Sequence, residues 1–356
     1  MNSLVVSAFA IGATSMMFLC YGIFFLTASH PSRLRRLLGM IMLAWSALFA
    51  KDIYFIFIDA SRGTSDFTYQ LLMTVDMWCV VTCKIYLIEL LRPGRLKVGD
   101  VLLELSGFAL FTAVYAATGN DAFYFALIVY TVIYCAAMFV YLVRSTVAYN
   151  RMVEQSYSDL SRLDVKWLWR AVVIMIANLL VWFYMYVTPG PDSDAYYCLM
   201  ICLVWSVIAW NTWRQQIPDI VADSPAPAVG EARPAAAHAF ASRLEGLVGE
   251  GYFYRYPGLT LSELAAELNT NRTTLSAFLN NDLGMTFYEY TNNIRLDYAE
   301  QLMAQPGTRL TQVEVAEMSG FNSLSTFRRA LKRRREMERQ RAAACPAGGA
   351  SVAANQ

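Results

Sequence analysis

The chain has 356 residues, 56% of them hydrophobic and only 16% charged, with a formal net charge of +1. That average conceals two unlike halves, because long apolar runs dominate to about Trp213 and a polar, charged segment follows. Two histidines, His30 and His238, and seven cysteines with no metal-ligand spacing argue against a zinc site or a catalytic dyad. With no Gly-rich phosphate loop or kinase-like sequence either, no enzyme and no cofactor are expected.

Seven stretches before the polar half are long and apolar enough to span a bilayer: 4–28, 37–58, 68–91, 98–118, 123–143, 168–187 and 197–213. The first does not read as a signal peptide, since basic residues follow it rather than precede it. Loop charge predicts orientation. The connections after spans one, three and five carry Arg33, Arg35 and Arg36, then Arg92, Arg95 and Lys97, then Arg144, Arg151, Arg162 and Lys166. The intervening connections carry only Arg62, so the positive-inside rule predicts an outer amino terminus and a cytoplasmic C-terminal half.

Aromatic residues gather at span ends, at Tyr54, Phe55 and Phe57, at 123–125, at Tyr184 and Tyr186, and at Tyr196 and Tyr197. They read as an interfacial belt or as the lining of an outward-facing pocket. Charges inside spans are costly unless paired or wetted. Antiparallel counting places Lys51 and Asp52 level with Asp76, and Lys84 level with Glu104. Such pairs fix helix register or act as a switch. Glu89 and Arg92 read as a solvated surface pair. The connection 144–166 is the longest basic loop, read either as a solvated extension of the fifth span or as a surface touching the C-terminal domain.

Pro218, Pro225, Pro227 and Pro234 among many alanines predict an extended tether over 215–234. A helix starting near Ala235 then carries Phe240, Leu244, Leu247 and Val248 on one side. Two helix-turn-helix layouts follow. In the first, Leu261, Leu264, Ala265 and Leu268 share a face of a helix begun by Ser262, and the break falls at Asn269. In the second, Ala316 precedes the break at Gly320 by the same four residues. Both breaks need a residue that tolerates positive φ. The following helices bury Leu275 and Phe278, then Leu324 and Phe327. Outward remain Arg272, Thr273, Thr274 and Ser276 in one, and Asn322, Ser323, Ser325, Thr326, Arg328 and Arg329 in the other. These side chains hydrogen-bond bases and phosphates rather than fill cores. One such pair is equally readable as an ordinary helical hairpin; two in tandem, joined by an amphipathic helix carrying Phe287, Tyr290, Ile294, Leu296, Ala299 and Leu302, are harder to dismiss. From Arg328 to Arg341, eight basic residues face only Glu336 and Glu338, a segment that either holds phosphates or stays solvated.

The landmarks Leu264-Ala265, Leu275, Phe278, Gly284-Met285, Phe287, Tyr290, Arg295-Leu296, Ala299, Leu302, Val315-Ala316, Gly320-Phe321, Phe327 and Lys332 stand in order at family spacing. The last third of the chain thus resembles the DNA-binding domain of arabinose-regulator (AraC/XylS) type transcription factors. The family usually follows its last helix with Gly and Pro and often has Phe where Leu331 stands; here the chain continues as the basic run to Arg341.

The expected architecture is all-α: a seven-helix transmembrane bundle over 1–214, a linker over 215–234, a double helix-turn-helix domain over 235–341, and a disordered tail over 342–356. The resemblance implies sequence-specific binding of double-stranded promoter DNA; attachment of such a domain to membrane spans points to a bacterial cytoplasmic membrane, where chromosome and bilayer share a compartment. The lipid bilayer, a homodimer partner and a small-molecule or protein signal are the other candidate partners. Two functional classes stay open. The spans sense a signal in a one-component regulator, or they only anchor a DNA-binding module controlled by partners or proteolysis.

Overall fold

The computed structural model describes residues 2–29, 31–62, 66–161, 163, 165–174, 193–215, 234–305 and 310–344. These are almost wholly helical, and their one β feature is an isolated antiparallel bridge between Tyr157 and Thr260. Contacts divide the chain into an apolar unit, Met1–Tyr149 with Asp164–Ala222, and a C-terminal unit, Asn150–Leu163 with Asp223–Gln356.

In the apolar unit six helices are long and apolar enough to cross a membrane: Val5–Thr27, Arg33–Tyr54, Gln70–Leu91, Val98–Thr118, Asp121–Glu154 and Ala195–Arg214. Most of the predicted sixth span, and the tether, lie outside the described residues. The first two helices cross closely at glycines. A Cβ on Gly22 would meet Leu43 at 2.7 Å, and one on Gly39 would meet Leu26 at 2.9 Å, the small-residue contact by which apolar helices pack in lipid. Phe18, Trp45 and Trp205 meet beside it, with ring centroids 5.0–5.9 Å apart. Phe9, Leu103, Phe125 and Val132 point outward and are mostly exposed.

The third predicted span is not one unbroken helix. It runs as Asp66–Asp76 and Cys79–Leu91, with a turn at Met77 and Trp78. Asp76 ends the first piece, where its carboxylate lies 3.1 Å from Lys51 Nζ, and Lys51 also reaches Asp52 at 2.5 Å. Lys84 Nζ donates to Glu104 at 2.5 Å, and the Tyr134 hydroxyl donates to the other Glu104 oxygen at 2.8 Å. Glu89 corrects the sequence reading. It is 2% exposed and paired with Arg33 at 3.3 Å, while Arg92 lies over the Tyr141 ring. The partner comes from a distant helix that three-residue spacing cannot reveal.

The C-terminal unit has two small cores. The helix Pro234–Gly249 contributes Phe240, Leu244 and Leu247, which pack with Phe253, Leu261, Leu264, Leu275, Leu279 and Phe287. The second core joins Leu296 and Ala299 to Val315, Ala316, Phe321, Phe327 and Ala330. The helix Phe287–Ala304 supplies residues to both and so fixes their spacing.

Candidate nucleic-acid interface

The first helix pair is set by its ends. Thr260, not Ser262, caps the helix Leu261–Glu267: its hydroxyl accepts from the Glu263 amide while the Glu263 carboxylate accepts from Thr260 N–H at 2.8 Å. Ser262 would have Ala265 three residues on and no such reciprocal partner. The helix stops in a Schellman turn. Asn269 takes φ +52°, its N–H reaches Ala266 O at 3.0 Å, and Thr270 N–H reaches Ala265 O at 2.9 Å. Asn271 then caps Arg272–Ala277 by accepting from the Thr274 amide at 2.8 Å. A π-helical turn at Phe278–Asp282 carries the chain on. Leu279 is fully buried beside Leu275, and Phe278, expected inside, is only half-buried.

The second pair repeats this construction. Thr311 and Glu314 form the capping box of Gln312–Met318. Gly320 takes φ +83°, its N–H reaches Glu317 O at 3.0 Å, and Phe321 N–H reaches Ala316 O at 2.9 Å. Ser323 caps the 21-residue helix Leu324–Ala344 through the Thr326 amide at 3.2 Å. A third such box, Thr286 with Glu289, starts the connecting helix.

Arg295 orders the two pairs. It is 1% exposed, and its guanidinium donates to the carbonyls of Phe253, Tyr256 and Pro257 at 2.8–3.1 Å while lying over the Phe321 ring. Burial lowers its pKa to about 10. Gly320 meets the same segment, where a Cβ would stand 2.7 Å from Tyr254 O. Sequence periodicity missed this clasp, since a basic residue on an amphipathic helix normally marks the wet face; its place among the family landmarks was the available signal.

The candidate DNA-contacting side chains occupy the starts of the two second helices. Thr273 is exposed, and Arg272, Thr274 and Ser276 are half-buried, with Ser276 bonded to Asn280 at 3.2 Å. In the second pair Asn322, Ser325, Arg328 and Arg329 are exposed. Ser323 and Ser325 hydroxyls lie 2.9 Å apart, and Arg328 donates to Gln312 at 2.8 Å. Thr326 departs from the outward position expected of it: it is 4% exposed, its hydroxyl 3.0 Å from Ser323 Oγ and 3.5 Å from Asp159.

In the basic run, Arg333 is held by Glu154 at 2.7 Å and Glu289 at 3.0 Å, and its bond to Glu154 raises its pKa. Arg334 pairs with Asp297 at 2.6 Å and Glu338 at 3.2 Å. Lys332, Arg335 and Arg339 are exposed.

The loop 155–161 belongs to this unit. Ser158 N–H donates to Leu259 O at 3.2 Å, and Leu261 N–H donates to Ser156 O at 2.9 Å, across the Tyr157–Thr260 bridge. Ser158 is fully buried, and its carbonyl accepts from Asn292 at 3.0 Å. Asp159 accepts from Asn322 at 2.7 Å, and Ser156 Oγ lies 3.5 Å from Arg272. Of the two readings of this connection, the helix Asp121–Glu154 does extend past the fifth apolar stretch, and the residues after it touch the helix-turn-helix pairs. Among the described residues no three His, Cys, Asp or Glu side chains gather as a metal cluster.

Residues 264–338 match a family model described as a helix-turn-helix domain. No curated protein and no solved structure matches the chain. Paired Schellman turns, a rigid connecting helix and this match converge on one statement: the C-terminal third of the chain carries an AraC-type helix-turn-helix domain.

Proposed function

We propose that the chain is a membrane-integrated one-component transcription regulator. In this reading it binds promoter DNA through both second helices and takes its signal through the apolar unit. The observation that carries the DNA-binding part is the duplication itself. Two helices, each entered by the same turn and capped by a polar side chain, present Arg272, Thr273, Thr274 and Ser276, and Asn322, Ser323, Ser325, Arg328 and Arg329. Thr326 Oγ1 joins them wherever its present neighbours withdraw. A rigid connecting helix suits two such helices to successive major-groove segments about 34 Å apart. Lys332, Arg335 and Arg339, all exposed, hold phosphates in this reading without reading sequence.

Six apolar helices of spanning length support a bilayer location. Loop charge supports seven spans with the amino terminus outside and the DNA-binding domain in a bacterial cytoplasm, where membrane and chromosome share a compartment. The Lys51–Asp52–Asp76 cluster beside a broken helix is where a signal would find polar partners within the apolar unit.

Selection of duplexes from a random-sequence pool by the full chain in lipid nanodiscs tests the reading. Recovery of one preferred sequence is expected, and recovery of the unselected pool would end it. Protease added outside intact cells should spare the C-terminal domain. Replacing the spans with an unrelated anchor separates sensing from anchoring: regulated reporter output should be lost, and its unchanged survival would leave only the anchor role.

A further inference from the structure

We propose that the loop 156–159 is a built-in competitor of DNA, docked across the starts of both second helices and displaced when the duplex binds. The inference rests on the DNA-binding reading above and adds its control.

Three observations carry it. First, the loop touches both second helices at once, with Ser156 against Arg272 and Asp159 against Asn322 and Thr326. Second, the chemistry is that of an anion. The Asp159 carboxylate accepts from Asn322 and Thr326 as a phosphate oxygen would, and Glu154 occupies Arg333 with two contacts of 2.7 and 2.9 Å. Third, the fit is incomplete. Arg272 Nε is buried without a partner, as are the Tyr288 hydroxyl and Thr291 Oγ1 on the connecting helix. An unpaired buried donor is expensive, so a partner that satisfied Arg272 fully would be preferred over the loop.

The loop is held by the Tyr157–Thr260 bridge, by the Ser158 bonds to Leu259, Pro257 and Asn292, and by the Asp159 carboxylate. It is also continuous in sequence with Asp121–Glu154, one of the candidate spans. Any change in that helix that weakens docking would free the candidate reading residues. The equilibrium can then be shifted only by a ligand that distinguishes the docked from the undocked state, and DNA does so by needing the same side chains.

A reversible lock tests this on the full chain in nanodiscs. Facing residues of an antiparallel bridge have Cα atoms about 4.5–5.5 Å apart, within disulfide reach, so Tyr157→Cys with Thr260→Cys should close on oxidation, with peptide mapping to assign the bond. The probe is the duplex selected from the random pool. The reduced protein should bind it, and the oxidised protein should bind about tenfold or more weakly, with recovery on reduction. Equal binding by both forms would overturn the proposal and leave the DNA-binding reading intact. No selective binding by the reduced protein or by the parent chain would instead remove that reading. Asp159→Ala should tighten binding by about tenfold, the scale of one charge-assisted hydrogen bond. Amide exchange at Ser158 and Leu261 gives a readout free of mutation. DNA should speed it, and slower exchange on binding would show that the loop supports the complex rather than opposing it.

Discussion

The two helix pairs share a turn and differ in what it touches. Asn269 and Gly320 hold the same backbone role at positive φ, with matching bonds from the next residue to Ala265 O and Ala316 O. At the first turn a side chain is accommodated. At the second, Tyr254 O and Cα stand within 2.8 Å of where a Cβ would be. The first turn therefore needs only a residue that tolerates the conformation, whereas the second also needs the absence of a side chain. The lesson is that a repeated motif carries unequal constraint, set by what packs behind it. In this protein that is the segment 253–257, gripped by Arg295 and closely approached by Gly320.

Both helix pairs depend most heavily on the residue they share, Arg295. Arg295→Met should strand the Phe253, Tyr256 and Pro257 carbonyls and cost about 3–5 kcal/mol, loosening both pairs together. Thermal unfolding, with amide exchange read separately in the two cores, checks this, and loss of one core alone would contradict it. Gly320→Ala should cost about 2–4 kcal/mol from its positive φ and the backbone clash, while Asn269→Gly should be nearly neutral. Equal effects at the two turns would undo the asymmetry.

Arg272→Ala should weaken DNA binding by about 1–3 kcal/mol and relax preference at one base if it reads an edge. Competition with base-substituted duplexes distinguishes that from uniform weakening, which would assign it to a phosphate. The caps should be equivalent: Thr260→Ala and Thr311→Ala are each expected to cost about 1 kcal/mol, measured as shifts in unfolding midpoint. The smallest effect concerns Glu314. Hydrogen bonds from Thr311 lower its pKa below the ordinary 4.5. A folded-state value below the unfolded one means that its stabilisation is complete above about pH 4.5 and fades as pH falls through the folded value. Glu314→Gln should abolish that part of the acid dependence, and an unchanged acid profile would show the box to be inert.

Much of the C-terminal domain was legible in the sequence because local rules govern it. Phe240, Leu244 and Leu247 share a face by helical period, and Ala265 and Ala316 each lie four residues before a positive-φ turn. The three Thr-x-x-Glu boxes are equally local, and the reciprocal Glu263 marks Thr260 rather than Ser262 as the cap. Leu279 and Phe278 lie four and three residues after Leu275, and helical spacing allows either to face the core; the packing selects Leu279. What periodicity cannot supply is distant partnership. Glu89 with Arg33, Asp159 with Asn322 and Arg333 with Glu154 join residues far apart in sequence. In the apolar unit the break at Met77 and Trp78 carried neither Gly nor Pro, so no local signal marked it.

Arg295 has a consequence for how the domain meets its surroundings. Its three principal acceptors are peptide carbonyls, which neither titrate nor carry a net charge to be masked by mobile ions. A clasp of that kind should hold its geometry in brine and in vinegar alike, where a guanidinium–carboxylate pair would slacken. Whatever ionic conditions do to the grip on nucleic acid, the spacing between its two halves is kept by a fastening largely indifferent to them.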